Sequence, residues 1–200
     1  MRNHHTAKYI VGVDEAGRGP IAGPVTVAAV AFLVPPNRAA FRGIRDGKQL
    51  TAQARERYFA AAREMEARGL LKITVHSTAA KIIDRNGIVN AIKQSLNMSL
   101  TALRLSPATC FIQLDGSLEA PAEYAFQETI IRGDETELPI TLAGIVAKVT
   151  RDREMALFAT QYPNYGFDKH KGYGTKAHYA TISRLGPCPL HRKTFLNTVH

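Results

Sequence analysis

Two hundred residues, 45% of them hydrophobic and 22% charged, make a chain the size of one ordinary globular domain. That balance excludes a collagen, a disordered tail and a disulfide scaffold. The 26 Lys and Arg against 17 Asp and Glu leave a net charge of +9, which favours an anionic partner, nucleic acid ahead of a membrane surface.

After a polar tail at residues 1–8, Tyr9-Ile-Val-Gly-Val13 reads as a buried strand. A glycine-rich turn through Gly17, Gly19, Pro20 and Gly23 leads to a second apolar strand over 25–34, close enough in sequence to pair antiparallel with the first. At half the length of a membrane span, and with acidic Asp14 and Glu15 ahead of it, this run is neither a spanning helix nor a signal peptide. Thr51 is placed to cap a helix that reaches about Arg68 and stops at Gly69. A third strand is expected over 70–76, then a short helix capped by Ser77 or Thr78, then a longer helix over 87–105 that Pro107 ends. A fourth strand over 109–114 delivers Asp115-Gly116, and a fifth over 128–132 delivers Gly133-Asp134. The remainder reads as a long helix over 139–160, a glycine- and aromatic-rich loop over 162–174, and a last helix over 175–184. No linker or repeat appears, so the expectation is one α/β domain over residues 1–200. Cys110 and Cys188 have no metal-ligand spacing and suit a reducing compartment, so a cytoplasmic monomer with no membrane partner is expected.

The chemistry is expected where strands stop. Asp14 and Glu15 follow the first strand, Asp115 the fourth and Asp134 the fifth, each with a glycine beside it or close by. Strand ends are where open α/β sheets bind ligands. Read singly, each Asp-Gly pair is a turn. Together, four acids in one volume require a cation, and hard Mg²⁺ or Mn²⁺ ions suit oxygen ligands. Two such ions about 3.5–4 Å apart are suited to phosphodiester cleavage. The segment Gly17-Arg-Gly-Pro-Ile-Ala-Gly23 is not a dinucleotide loop, because a strand follows it and no helix N-terminus is offered to a pyrophosphate. Its small residues instead allow a sugar-phosphate to approach the backbone.

Several motifs carry a family resemblance. Val13-Asp-Glu-Ala-Gly-Arg-Gly-Pro20, Leu114-Asp-Gly116, Gly133-Asp134, Ala147-Lys-Val-Thr-Arg-Asp152, His170-Lys-Gly-Tyr173 and His191-Arg-Lys-Thr-Phe195 occur in that order. In this the chain resembles ribonuclease HII from about residue 9 to 196. The resemblance implies a ribonuclease H-like fold, a mixed five-stranded sheet flanked by helices. It implies metal-dependent cleavage of RNA in RNA–DNA hybrids and incision 5′ to single ribonucleotides embedded in duplex DNA, as in ribonucleotide removal during replication and repair. Carried over by position, Asp14, Glu15, Asp115 and Asp134 are the catalytic and metal-binding set for two divalent cations, Mg²⁺ or Mn²⁺. Substrate contacts fall on Gly17, Arg18, Gly19, Lys48, Lys148, Tyr173 and Arg192. The chain departs from the family at Asp46-Gly47-Lys48-Gln49-Leu50, where Asp-Ser-Lys-Lys-Leu is usual. It departs again at Gly144, where serine is common, and at Thr194 in place of serine.

Other residues carry alternatives. No histidine pair has zinc spacing on a helix. His170 and His191 either contact phosphate or sit in loops. Asp152 either aims at the acids or pairs with Arg151 or Arg153, and Lys148 has the same choice between phosphate and a neighbouring acid. A hybrid-binding module without catalysis would need no acid cluster. A ribonuclease HIII-like enzyme would carry an extra N-terminal domain, whereas only eight residues precede the first strand here.

Overall fold

A computed structural model describes residues 7–34, 39–44 and 50–196. Its centre is a five-stranded sheet in the order β3-β2-β1-β4-β5, made of β1 (Tyr9–Ala16), β2 (Val25–Leu33), β3 (Leu71–Thr78), β4 (Cys110–Asp115) and β5 (Gln127–Ile130). The first three strands are antiparallel neighbours, whereas β4 runs parallel to β1 and β5 parallel to β4. The expected mixed sheet flanked by helices is what the chain forms.

Strand β2 is apolar at nearly every position because both its faces are covered. Val25, Val27, Ala29 and Ala31 face a core completed by Ile92, Leu96 and Leu100 of helix α3 (Ile88–Ala102), which follows the short helix α2 (Ala80–Asn86). Ala28, Val30 and Phe32 face the other way, toward Tyr58 and Ala62 of α1 (Ala52–Ala67). On that side they also meet Leu142, Ile145 and Val146 of α5 (Leu138–Gln161), a helix preceded by the single turn α4 (Gly133–Thr136). A Cβ on Gly12 would collide with the backbone of Pro139, so this glycine lets the start of α5 lie directly on β1. A satellite cluster of Ala22, Met155 and Phe167 anchors α6 (Phe167–His170) and, through the Phe167–His178 ring contact, α7 (Lys176–Leu185), whereas Phe195 of α8 (Lys193–Leu196) packs against the α3-side core.

Thr51 caps α1 as expected, its Oγ1 accepting the Ala54 N–H at 3.2 Å. Ser77 and Thr78 cap nothing; both belong to β3, and α2 starts after Ala79 without a side-chain cap. Their hydroxyls are used across the sheet and toward α3, Ser77 with Thr26 at 2.8 Å and Thr78 with Ser95 at 2.6 Å. Among the described residues no helix is long and apolar enough to cross a membrane.

Candidate active site

Asp14 and Glu15 lie within β1 rather than after it, because β2 continues to pair with them, Asp14 opposite Ala28 and Glu15 opposite Val27. Parallel pairing of Val13 with Leu114 sets Asp115 one step further along β4, beside Asp14. Asp134 arrives differently from its expected place at a strand end. β5 stops at Ile130, Arg132 turns the chain in the left-handed region at φ 57°, and Asp134 sits in α4. The Asp134 N–H points at Asp115 Oδ1, 3.4 Å away. Thr141 Oγ1, on the first turn of α5, donates to the Asp134 carbonyl at 2.8 Å and ties that turn to the helix.

These elements border a cleft of about 270 Å³ whose lining includes Asp14, Glu15 and Asp134 together with Arg55, Lys148 and Tyr173. Asp115 is not part of the lining, yet its charge is felt by both Asp14 and Glu15. Burial first, then the charges of Glu15, Asp115 and Asp134, holds the Asp14 carboxyl well above the usual carboxylate range. Glu15 is also raised by burial, against the opposing pull of Arg18, whose Nη1 lies 3.3 Å from Oε1. Asp14 faces α5 at Gly144, where a Cβ would collide with Asp14 Oδ2. The glycine that departs from the family pattern therefore makes room for this carboxylate.

The residues fit a divalent cation by donor chemistry. The converging side chains are hard oxygen donors, and burial together with the neighbouring Glu15, Asp115 and Asp134 charges raises the Asp14 carboxyl, so a cation there would relieve both. Among the described residues no three His, Cys, Asp or Glu side chains form a preassembled metal cage. The acids are gathered as neighbours, not locked at ligand distances.

The expected substrate contacts divide into three groups. Gly19 and Arg18 are exposed, Gly17 is buried behind them, and Tyr173 is 46% exposed at the cleft. Lys148 lines the cleft, bridged to Asp152 at 2.8 Å and 5.9 Å from the Tyr173 ring centre. Asp152 thus pairs with Lys148, not with Arg151, which is buried, or Arg153, which pairs with Glu56 at 2.6 Å. Lys48 lies outside the described residues.

Arg192 is the correction. It is fully buried, and its guanidinium donates to the carbonyls of Gly17 (2.6 Å), Arg18 (2.9 Å), Gly23 (3.0 Å) and Pro24 (3.0 Å). A side chain so engaged holds the Gly17–Pro24 loop from behind and is turned away from the surface. Buried Arg151 joins it, donating to Pro24 at 2.9 Å and Ala22 at 3.2 Å. Burial, then the neighbouring Arg151, pulls Arg192 down to about 9, still charged at neutral pH.

Sequence reasoning passed over Arg55 and Thr141 in the cleft. For Arg55 the signal was present: it stands four residues after the Thr51 cap, on the cap's face of α1, and its Nη1 reaches back to the Leu50 carbonyl at 2.5 Å.

A family model described as ribonuclease HII matches residues 11–198. A ribonuclease HII of Geobacter sp. (strain M21) is 44% identical, with 93% of this chain and 76% of that protein covered. One from Ruminiclostridium cellulolyticum is 42% identical over 94% of this chain and 70% of its own length. Among solved structures, ribonuclease H2 from Pyrococcus horikoshii OT3 superposes with a TM-score of 0.72 at 25% identity, covering 93% of each chain. The PCNA:RNase HII complex from Archaeoglobus fulgidus gives 0.74 at 21% identity, covering 92% of this chain and 93% of that one, and supports the fold alone.

Proposed function

Because the chain belongs to the ribonuclease HII family, and so is a ribonuclease H hydrolase acting on RNA–DNA substrates, we propose that it incises DNA duplexes 5′ to single embedded ribonucleotides. It also cuts the RNA strand of longer hybrids, leaving 3′-hydroxyl and 5′-phosphate ends. The observation that carries this reading is one cleft in which Asp14, Glu15 and Asp134 face Arg55, Lys148 and Tyr173, with the exposed Gly19 turn on the same strand connection.

Asp14, Glu15, Asp115 and Asp134 are the residues to hold two divalent cations, Mg²⁺ or Mn²⁺. Bound there, the ions supply an activated water and charge stabilisation for the departing 3′-oxygen. Lys148 and Arg55 place positive charge beside the acids, where a phosphate between them would be held by contacts that position the strand without reading sequence. The ribose 2′-hydroxyl is both donor and acceptor, and backbone groups at the exposed Arg18-Gly19 end of the Gly17-Arg18-Gly19 turn, which Arg192 holds from behind by the Gly17 and Arg18 carbonyls, would meet it at close approach. Tyr173 is placed to stack on the deoxyribose that follows. The net charge of +9 supports duplex affinity through phosphate neutralisation. We assign the protein to ribonucleotide removal from DNA in the cytoplasm, as a monomer with one catalytic domain.

The test is a duplex with one ribonucleotide, incubated with Mg²⁺, Mn²⁺ or EDTA, and the cut mapped to the nucleotide. Cleavage on the 5′ side of the ribonucleotide with either metal, and none in EDTA, is expected. Intact duplex in both metals, or a cut elsewhere, would overturn the reading.

A further inference from the structure

Behind Tyr173 lies a buried histidine cluster that the proposed chemistry does not use. His170 closes α6, His178 sits in α7 and His191 precedes α8; His178 is fully buried and His191 nearly so. The rings of His170 and His178 stack with centres 3.9 Å apart, and Nε2 of His178 lies 3.0 Å from Nε2 of His191.

Their backbone partners orient all three rings. A carbonyl only accepts, so His178 Nδ1 donates to the Tyr173 carbonyl at 2.9 Å, which leaves its Nε2 as the acceptor from His191 Nε2–H. His191 Nδ1 lies beside both backbone groups of Cys188, accepting its N–H at 2.9 Å and standing 3.2 Å from its carbonyl. His170 donates from Nε2 to the Tyr165 carbonyl at 2.7 Å and accepts the Gly172 N–H on Nδ1 at 3.1 Å. All three rings are engaged at both nitrogens, which leaves no ring nitrogen free for a metal. The cluster is a chain of hydrogen bonds that ends on the backbone of Tyr173.

The same segments are stitched to the glycine loop. The Gly172 carbonyl accepts the Ile21 and Ala22 N–H groups at 2.9 and 3.2 Å, and the Arg192 N–H donates to the Ile21 carbonyl at 2.8 Å. Arg192, next in sequence to His191, holds the Gly17 and Arg18 carbonyls. Tyr173 and the Gly17–Gly19 turn are thereby two ends of one laced unit.

We infer that His178 and His191 are positioning residues that set the spacing between Tyr173 and the Gly17–Gly19 turn, and with it the preference for a ribose followed by a deoxyribose. This rests on the reading of those two elements given above. A uniform RNA–DNA hybrid offers no such junction, so it makes less demand on their spacing, whereas a small misplacement at a single embedded ribonucleotide is costly.

The experiment compares single-turnover cleavage of a single-ribonucleotide duplex and a uniform hybrid by wild type, His178→Leu, His178→Asn and Tyr173→Ala. His178→Leu keeps the volume but removes the donor to the Tyr173 carbonyl; His178→Asn keeps a donor near Nδ1. His178→Leu is expected to lose on the order of ten- to a hundredfold on the single ribonucleotide. It should stay near wild type on the hybrid, which also reports its folding, and His178→Asn should recover most of the loss. Equal losses on both substrates with either variant would mean a merely structural role and overturn the inference, as would no loss in His178→Leu. Tyr173→Ala separates the two levels. If it keeps the wild-type substrate ratio, the junction reading itself falls; if it alone loses the ratio, only the histidine linkage does.

Discussion

Gly17 and Gly19 stand two residues apart in the same turn, yet the structure assigns them opposite responses to alanine. Gly17 has φ +92°, and a Cβ there would run into the Arg151 side chain and approach the Pro24 carbonyl to 2.7 Å. Left-handed backbone costs a non-glycine residue about 1–2 kcal/mol. Overpacking against a buried side chain costs about 1–3 kcal/mol more. For a protein of this length a loss of about 2–5 kcal/mol lowers Tm by roughly 4–20 °C. Gly19 has no such strain, and a Cβ there meets nothing within 4 Å. Gly19→Ala should hold its stability or gain about 0.4–1 kcal/mol by restricting the unfolded chain. Nothing among the described residues crowds a Cβ at 19; only the proposed approach of a sugar-phosphate would ask for glycine there. Thermal melts and single-turnover cleavage of a single-ribonucleotide duplex should therefore separate the pair: Gly17→Ala melts early, Gly19→Ala melts normally but cuts poorly. A Gly19→Ala enzyme cutting at the wild-type rate would refute the backbone-approach reasoning, and a normal melt for Gly17→Ala would refute the loop geometry.

Asp14→Asn and Asp115→Asn should each abolish cleavage while leaving hybrid binding intact, measured by turnover and by filter binding; full turnover in Mg²⁺ refutes the assignment. The raised carboxyl of Asp14 means that its ionised form opposes folding above the ordinary carboxylate range, so Asp14→Asn should melt higher than wild type in EDTA at pH 7. Burial pulls His178 from 6.5 down to about 4, and His191 down as well. Such depressed histidines contribute stability in full above pH 6.5 that is lost as pH falls toward 4, up to about 3 kcal/mol for His178; a wild-type Tm that does not fall in this window relative to His178→Asn counts against it. Arg192→Met should cost at least about 3 kcal/mol by stripping buried carbonyls of a charged donor. Its salt dependence of hybrid binding should match wild type, whereas a slope reduced by about one would return Arg192 to the phosphate-contacting surface.

Apolar periodicity and punctuation placed all five strands and the Thr51-capped helix, because β2, β4 and α1 owe their form to local pattern. The four acids were legible because each stands beside or close to a glycine at a break in apolar sequence. That same break misplaced two of them: carboxylates at the end of β1 look like a strand's end, but pairing is decided by the partner strand, and β2 carries it through Ala16. Ser77 and Thr78 resemble caps by composition, and only the tertiary packing shows their hydroxyls bonding partners far away in sequence, Ser77 with Thr26 of β2 and Thr78 with Ser95 of α3. Arg192 misled for a related reason. A basic residue in a late motif reads as a phosphate contact, while its real partners are carbonyls of a loop far away in the chain. No periodicity reports a contact of that range.

That range also bears on synthesis. Arg192 reaches the Gly17 carbonyl across 175 positions of sequence. At a translation rate of about 5–20 residues per second, the glycine turn emerges roughly 9–35 s before the side chain that secures it exists. In the later part of that interval, once β4 has been made, the strands bearing Asp14 and Asp115 can pair, while the Gly17 and Arg18 carbonyls are left to water. A nascent chain or a fragment that extends past α4 but stops short of Arg192 therefore carries the acids but a turn without its Arg192 fastening, so the acid cluster and the turn are completed at different moments in the life of the polypeptide.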